Sequence, residues 1–157
     1  MKAFIDEVKR MASEGISIAV DFDSTIALTD GYPNIIAPNG RVFDILHKWQ
    51  DMGCKIILNT IRWGDELEKA IAWCANCGFF FDSVNCNPEY ERKFGNESKK
   101  LYATFFIDDK NIGTPMTEKH SVFGNYDIRF HVDWDGIDRM TTPVLEKIIE
   151  TINSENE

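Results

Sequence analysis

Apolar residues along the chain follow two spacings, one typical of helices and one typical of buried strands. Three segments repeat their apolar positions every three to four residues and are predicted as helices, at about residues 2–13, 40–52 and 64–77. Three continuous apolar runs favour strands covered on both faces: Ile16–Phe22, Cys54–Thr60 and Ala103–Ile107. Alternating strands and helices predict an α/β fold, a Rossmann-like three-layer α/β/α sandwich with a mainly parallel central sheet.

Less regular segments connect these elements. Residues 24–39 are rich in glycine and proline and predict an irregular flap, with a short strand further on, near Ser83–Cys86. Residues 88–100 predict a loop with a short helical turn.

The C-terminal third is predicted from weaker signals. Asn111–Asn125 is predicted as a loop, and apolar residues alternate with polar ones over Ile128–Trp134, which indicates a half-exposed strand at a sheet edge. Thr142-Pro143 is expected to open the last helix, because proline is tolerated in a first turn.

The length of the chain indicates the number of domains, and its net charge excludes some kinds of ligand. The 157 residues predict a single domain, 1–157, with a motif-bearing core at about 16–113 and an edge strand and helix at 126–153. A net charge of −9 argues against a sequence-independent nucleic-acid binder, which needs a basic face. No apolar run approaches the ~20 residues that span a bilayer, and the charged N-terminus lacks a signal-peptide core. We therefore predict a cytoplasmic protein.

The four cysteines are the candidates for a redox site or a zinc site. They are Cys54, Cys74, Cys77 and Cys86. The spacing Cys74-x-x-Cys77 is shared with redox motifs, but here it ends a helical pattern, where the helix dipole disfavours a thiolate. We predict ordinary thiols rather than a redox or zinc site.

Polar residues follow each of the three buried strands. Asp21 and Asp23 follow the first strand, Thr60 ends the second, and Asp108-Asp109 follow the third. Because the carboxyl ends of parallel strands meet at one edge, we expect these side chains in one crevice. Clustered carboxylates repel unless a cation lies between them or some are protonated, and oxygen ligands favour Mg²⁺. Taken singly, each of these residues is just as typical of a strand end or a turn, so the prediction depends on their joint spacing.

With these residues in view, the chain resembles the haloacid dehalogenase (HAD)-like hydrolases, as a small phosphatase-type member without a large cap domain. The first motif of that superfamily, Asp-x-Asp-x-Thr/Ser, stands here as Asp21-Phe-Asp-Ser-Thr25. Its second motif stands as Thr60, and its acidic fourth motif as Asp108-Asp109. The third motif is a single lysine or arginine, which we assign to Lys100, with Lys99 as the alternative. The resemblance covers about residues 16–113.

The resemblance implies a role for each of these residues. Asp21 would attack phosphorus and form an aspartyl-phosphate, and Asp23 would act as acid and base. Thr60 and Lys100 would bind the transferred phosphoryl oxygens. Mg²⁺ would be held by Asp21, by the main-chain carbonyl of Asp23, and by Asp108 or Asp109.

Four further residues are candidates for substrate contact: Ser24, Thr25, Arg62 and Asn85. The main-chain N–H groups that follow Asp21 would help to bind the phosphoryl group. Arg62 would contact a second anion of the substrate, although a surface arginine is the simpler interpretation of that residue alone. Asn85 and Asn87 would reach the pocket, and asparagines that cap a loop are an equally good interpretation.

The implied function is a Mg²⁺-dependent phosphatase that acts on a small phosphorylated substrate away from membranes. Little chain is left for a cap, so the substrate would be large and accessible or a second subunit of a homo-oligomer would cover the site. The flap at Leu28–Pro38 and the segment Asn87–Glu97 are the local candidates for specificity. Two alternatives remain open: a non-catalytic domain that binds metal and phosphate, and a nucleic-acid end phosphatase, which the charge of −9 disfavours.

Overall fold

The computed structural model describes residues 2–11, 15–117, 121–123, 126–128 and 130–154. Its centre is a parallel sheet of four strands: β1 (Ser17–Val20), β4 (Lys55–Leu58), β5 (Ser83–Val84) and β6 (Phe105–Ile107). The strand order is β5-β4-β1-β6, and helices flank the sheet. The predicted α/β sandwich with a parallel central sheet is therefore confirmed.

Strand β1 lies between β4 and β6, and its four residues are all buried. The register pairs Val20 with Leu58 on one side and with Ile107 on the other. Because the three strands are parallel and end level, the residues that follow them meet at one edge of the sheet.

Five helices accompany the strands: α1 (Lys2–Met11), α2 (Val42–Asp51), α3 (Gly64–Asn76), α4 (Pro88–Phe94) and α5 (Trp134–Ser154). The helices predicted at 40–52 and 64–77 are confirmed to within about two residues at each end, and the helix predicted at 2–13 is confirmed over Lys2–Met11, since residues 12–14 lie outside the described residues. Helix α2 stops at Gly53, which has a φ of +92° and donates its N–H to the carbonyl of Gln50. Within the described residues, none of these helices is long and apolar enough to cross a bilayer.

The predicted flap is a small hairpin that follows β1. Strands β2 (Ala27–Leu28) and β3 (Ala37–Pro38) pair antiparallel, and the residues between them form its tip. Residues 15–117 are described without a break, and this hairpin is the whole excursion between β1 and α2. The expectation that no large cap is inserted there is confirmed.

The C-terminal region differs from its prediction in two places. The segment predicted as a loop contains β7 (Ser121–Phe123), which pairs antiparallel with β8 (Tyr126–Ile128) in a separate two-stranded sheet. The strand predicted over Ile128–Trp134 is wrong over residues 130–134, because Val132 makes only an isolated bridge to Met116, and residue 129 lies outside the described residues. That segment therefore adds no edge strand to the central sheet.

The start of the last helix is also corrected. Helix α5 begins at Trp134, and Pro143 lies inside it rather than in its first turn. Asp133 precedes the helix and accepts a hydrogen bond from the N–H of Gly136 at 3.0 Å, which caps the first turn. This cap, rather than the proline, sets where the helix begins.

Candidate functional site

Three carboxylates meet at the carboxyl edge of the sheet. Asp21 follows β1, and Asp108 and Asp109 follow β6. One oxygen from each of the three lies within 4.8 Å of the others. The main-chain N–H of Asp21 donates to the carbonyl of Ile107 at 2.9 Å, so the two strand ends are joined where the acidic residues begin. The structure thus brings together the three side chains that the sequence predicted as metal ligands.

Asp21 is the most perturbed acid of this cluster. Burial raises its pKa, the hydrogen bond from Thr25 opposes that rise, and the charges of Asp108 and Asp109 add to it. The result is a pKa of about 7 instead of 3.8. A cation bound beside Asp21 would stabilise its ionised form and lower this pKa.

The donor set fits a hard divalent ion. Three carboxylate groups offer only oxygen ligands, which Mg²⁺ prefers, whereas imidazole nitrogen and thiolate sulfur suit Zn²⁺. Lys110, which the sequence analysis did not single out, forms an ion pair with Asp109 beside the cluster. The hydrogen bond with Asp109 raises the pKa of Lys110, and the charges of Asp109, Asp21 and Asp108 add to that rise.

Thr25 supports the carboxylates and does not face the crevice. Its hydroxyl donates to Asp21 Oδ2 at 2.9 Å and accepts the main-chain N–H of Asp109 at 3.2 Å. The residue is fully buried. Its hydroxyl thus ties the ends of β1 and β6 together, so the candidate substrate contact at Thr25 is not made by this side chain.

The chain turns around Asp23. Strand β1 ends at Val20, earlier than predicted, and the carbonyl of Phe22 accepts the N–H groups of Ile26 and Ala27 at 2.9 Å. Ser24 follows with a φ of +59°, in the left-handed region that non-glycine residues seldom adopt. The side chain of Asp23 bonds to Arg62, whereas that of Asp21 joins Asp108 and Asp109.

Asp23 is held by a buried arginine. Arg62 donates from Nε to Asp23 Oδ2 at 2.9 Å and from Nη2 to Asp23 Oδ1 at 2.6 Å. Its guanidinium carbon lies 4.8 Å from the ring of Phe22 and 5.2 Å from that of Tyr32, and Nη2 also donates to the carbonyl of Pro33 at 3.2 Å. The two hydrogen bonds fix the plane of the Asp23 carboxylate.

The position of Arg62 corrects the sequence analysis. The residue is 1% exposed, so it is not a surface arginine, and its bonds to Asp23 replace the predicted contact with a substrate anion. Burial lowers its pKa, but the hydrogen bonds and the charge of Asp23 outweigh that effect and leave the pKa raised. Its Nη1 is buried without a hydrogen-bond partner among the described residues and lies 3.9 Å from Glu66 Oε2.

Asn85 holds the main chain of Thr60, two residues after the end of β4. Its side-chain oxygen accepts the N–H of Thr60 at 2.8 Å, and its side-chain nitrogen donates to the carbonyl of Thr60 at 3.0 Å. The Thr60 hydroxyl accepts the N–H of Arg62 at 3.1 Å. Asn85 therefore positions Thr60, which agrees with the alternative that this asparagine stabilises a loop.

Asn87 lies away from the crevice. It caps α4 by accepting the N–H of Tyr90 at 3.2 Å, and its amide reaches Ser17 Oγ, at the start of β1, at 3.4 Å. The start of β1 is the opposite edge of the sheet from Asp21. The first part of the segment Asn87–Glu97 is thus remote from the carboxylates.

Lys100 and Lys99 are exposed and stand apart from the carboxylates. Both line a small cleft that Asn85 also lines, next to Thr60. Within the described part of the chain, no ion pair joins Lys100 to an aspartate of the site. Lys100 thus lines a cleft with Asn85 and Asn87, and its contact with a phosphoryl group stays a prediction.

Residues beyond the recognised motifs hold the loop that follows Asp23. The carbonyl of Thr25 accepts the Nδ2 of Asn39 at 2.9 Å and the Nε1 of Trp134 at 2.7 Å. The N–H of Val132 donates to the carbonyl of Ser24 at 2.9 Å. No local sequence pattern indicates these contacts, two of which join residues more than a hundred positions apart.

The cysteines have the character of structural thiols. Cys54 and Cys74 are buried, and burial raises the pKa of Cys54 to about 11 and that of Cys74 to about 12. Burial also raises the pKa of the exposed Cys77. These shifts are opposite to those of a reactive thiolate.

Comparison with known proteins adds one solved structure. A conserved protein from Bacteroides thetaiotaomicron matches the chain with 32% sequence identity and a TM-score of 0.62. The match covers 82% of this chain and 90% of that one. No family model matches the chain, and no curated protein matches it.

Proposed function

We propose that this chain, which belongs to the same protein family as the conserved Bacteroides thetaiotaomicron protein, is a Mg²⁺-dependent phosphatase of the HAD type. The observation that carries the proposal is the separation of the aspartates into two groups. Asp21 joins Asp108 and Asp109 within 4.8 Å, whereas Asp23 turns to Arg62. One group suits a cation and a nucleophile, and the other suits an acid/base.

Three carboxylates would hold the metal: Asp21, Asp108 and Asp109, with the main-chain carbonyl of Asp23 as a further ligand. The donor atoms fit, because all three ligands are carboxylate oxygens and a cation between them would offset their mutual repulsion. When bound, Mg²⁺ would shield the negative phosphate from the attacking carboxylate.

Asp21 is the nucleophile in this proposal. One of its oxygens attacks phosphorus, a bond forms between that oxygen and phosphorus, and the ester bond to the leaving oxygen breaks. Thr25 donates to Oδ2 and so fixes the rotation of the carboxylate. The product of this half-reaction is an aspartyl-phosphate and a free alcohol.

Asp23 moves the protons. It gives a proton to the leaving oxygen and then accepts one from the water that attacks the aspartyl-phosphate, which releases inorganic phosphate and restores Asp21. Arg62 donates to both oxygens of Asp23, so one of those bonds must open before Asp23 can carry the proton. Arg62 is a positioning residue in this scheme.

Thr60 and Lys100 are proposed to bind the phosphoryl oxygens. The Thr60 hydroxyl accepts the N–H of Arg62, and a hydroxyl that accepts still has its own hydrogen to donate. The main-chain N–H of Ser24 donates to the carbonyl of Ala27 at 2.9 Å and that of Thr25 to the carbonyl of Phe22 at 3.4 Å, so these two groups add no free donor.

The setting of the site suits a phosphate ester that reaches it from solvent. The hairpin of β2 and β3 is the only cover that residues 15–117 place between β1 and α2. The four cysteines are free thiols, which is usual for proteins in a reducing compartment, and we propose the cytoplasm.

Hydrolysis of p-nitrophenyl phosphate tests the proposal. We expect turnover with Mg²⁺, loss of turnover with EDTA, and a loss of at least about 10³-fold in Asp21→Asn, because the amide cannot act as the nucleophile. Borohydride reduction of the quenched enzyme should convert phosphorylated Asp21 to homoserine, which peptide mass spectrometry would detect.

Asp51→Asn is the matched control, since Asp51 ends α2 at the opposite edge of the sheet and is exposed. It should keep the wild-type rate. Full activity of Asp21→Asn would overturn the assignment. Binding of beryllofluoride with Mg²⁺, without turnover of any phosphate ester, would replace it with the non-catalytic binding domain.

A further inference from the structure

One buried nitrogen of Arg62 is left unused by its bonds to Asp23 and Pro33. Nε and Nη2 donate to the two oxygens of Asp23, and Nη2 also donates to the carbonyl of Pro33. Nη1 is buried and has no hydrogen-bond partner among the described residues. Buried N–H groups are normally paired, because each has given up its bonds to water. One side of this guanidinium therefore lacks an acceptor.

Glu66 lies on that side of Arg62. Its Oε2 is 3.9 Å from Nη1, which is about 1 Å longer than a charge-assisted hydrogen bond. Its other oxygen, Oε1, accepts the Nζ of Lys69 at 2.7 Å, so these contacts leave Oε2 for Arg62. The side chain of Glu66 is 26% exposed, whereas that of Arg62 is 0% exposed. A small movement of this partly exposed carboxylate would complete the pair.

The helix dipole explains the acidic character of Glu66 but not this contact. Glu66 lies in the first turn of α3, where an acidic residue stabilises the helix. Asp65 lies in the same turn and is exposed. The dipole favours acidic residues at both positions, but it does not require Glu66 to direct one oxygen at a buried guanidinium.

The proposed reaction needs a second acceptor for Arg62. Asp23 can carry a proton only after one of its two bonds from Arg62 opens. Opening that bond would leave another buried N–H of a charged group unpaired, which is costly. A bond from Nη1 to Glu66, formed as the bond to Asp23 opens, keeps the number of paired donors constant. This exchange lowers the free energy needed to release Asp23.

We propose that Glu66 is a positioning residue, which accepts Nη1 of Arg62 when Arg62 releases one oxygen of Asp23 and so frees Asp23 for proton transfer. This inference rests on the proposed phosphatase function. It adds to the site a residue four positions after Arg62 that none of the motifs includes.

A double-mutant cycle on stability tests the exchange without turnover. Asp23→Asn removes the charge that holds Arg62, so the guanidinium should turn to Glu66. Glu66→Ala should lower the folding equilibrium constant by less than about threefold in the wild type, where Nη1 is 3.9 Å from Glu66. In Asp23→Asn the same change should lower it by about tenfold more. Urea unfolding of the four proteins in EDTA measures both effects.

Asp65→Ala is the matched control, since it removes the same charge from the same turn of α3. It should have equal effects in the wild type and in Asp23→Asn. Equal effects of Glu66→Ala in the two backgrounds would overturn the inference. If the double variant does not fold, the kinetics of Glu66→Ala decide the question.

Those kinetics test the use of the exchange in the reaction. For Glu66→Ala we expect kcat for an alkyl phosphate to fall about tenfold, and kcat for p-nitrophenyl phosphate to fall less than about twofold. KM should stay unchanged for both, because Glu66 acts on Asp23 and not on substrate binding. A merely structural role would lower both rates alike. Equal losses for the two esters, or no loss for the alkyl ester, would contradict the inference.

The two measurements together separate this inference from the phosphatase proposal. Turnover by the wild type, with equal effects of Glu66→Ala in both stability backgrounds, would overturn the inference alone. No turnover of either ester, with a larger effect of Glu66→Ala in Asp23→Asn, would overturn the phosphatase and the catalytic use of the exchange. Only the contact between Glu66 and Arg62 would then stand.

Discussion

At the scale of single residues, Arg62 shows how one side chain can change the interpretation of a site. Its position two residues after Thr60 was compatible with a contact to substrate. In the structure its guanidinium is buried between Phe22 and Tyr32 and bonds both oxygens of Asp23. A buried charge needs a paired partner, and Asp23 is that partner.

Arg62→Lys should slow the proposed reaction through Asp23. Lysine keeps the positive charge but cannot make two parallel bonds, so Asp23 loses its fixed orientation. We expect kcat for an alkyl phosphate to fall about 100-fold, and kcat for p-nitrophenyl phosphate to fall less than about tenfold, because a good leaving group needs little proton transfer.

Steady-state kinetics on the two substrates would measure this difference, with Arg92→Lys on the exposed face of α4 as the matched control. The control should change neither rate. Equal losses for both substrates would show that Arg62 does not act through Asp23.

Asp21 predicts a pH dependence of stability in the metal-free protein. Burial and the neighbouring carboxylates, against the hydrogen bond from Thr25, raise its pKa from 3.8 to about 7. Between these values the folded state keeps a proton that the unfolded chain loses, so this group makes the folded state less stable as pH rises from about 4 to about 7. Above about pH 7 the folded state has also lost this proton, so this group lowers the stability no further.

Thermal unfolding in EDTA at pH 5 and pH 7.5 would test this sign with Asp21→Asn. The variant should be more stable than the wild type by several degrees at pH 7.5, and by much less at pH 5. Asp51→Asn supplies the baseline. A difference that is the same at both pH values would contradict the raised pKa.

At the scale of elements, α5 was the least accurately predicted helix. The predicted start at Thr142 relied on the preference of proline for a first turn. The structure starts the helix at Trp134, capped by Asp133, and buried residues on both sides of Pro143 attach it to the core. The free energy gained by burying residues on both sides of Pro143 therefore outweighs the cost of the main-chain hydrogen bond that the proline removes.

Pro143→Ala should stabilise the protein. Proline at this place removes the N–H that would bond to the carbonyl of Arg139, and its exposed ring leaves little burial to lose. We expect a gain of about 1–3 kcal/mol in the free energy of unfolding, measured with urea. Glu146→Ala, on an exposed position of the same helix, should stay within about 0.5 kcal/mol. A loss of stability in Pro143→Ala would show that the helix needs its irregularity there.

At the scale of the whole molecule, the C-terminal segment completes the site. Trp134 and Val132 bond to main-chain groups of the turn that follows Asp23, across more than a hundred residues of sequence. Asn39 donates to the carbonyls of both Thr25 and Val132 and so joins this segment to the turn. The region with no recognised motif is therefore part of the support of Asp21 and Asp23.

Asn39→Ala should weaken both the fold and the metal site. The change removes two buried hydrogen bonds and leaves the carbonyl of Val132 without this donor, which costs about 2–3 kcal/mol. We expect a lower free energy of unfolding and a Mg²⁺ affinity reduced several-fold, measured by urea titration and calorimetry.

Gln50→Ala is the control for this prediction. It removes an exposed amide that also makes two bonds, and should cost less than about 1 kcal/mol. Unchanged Mg²⁺ affinity in Asn39→Ala would contradict the support of the site by this segment.

The sequence by itself determined the order of strands and helices along the core and the acidic residues that follow β1 and β6. Apolar runs and helical spacing are local, and parallel strands place their carboxyl ends together wherever they pair. The meeting of Asp21, Asp108 and Asp109 could thus be predicted from their positions alone.

Only the tertiary structure decided which polar groups face one another. Arg62 turned inward to Asp23, Thr25 tied two strand ends together, and Trp134 reached back to the turn after Asp23. Each of these contacts joins residues that are distant in sequence, and each satisfies a buried polar group that no local pattern reveals. Long-range satisfaction of buried hydrogen bonds and charges is the reason that these roles could not be assigned from the sequence.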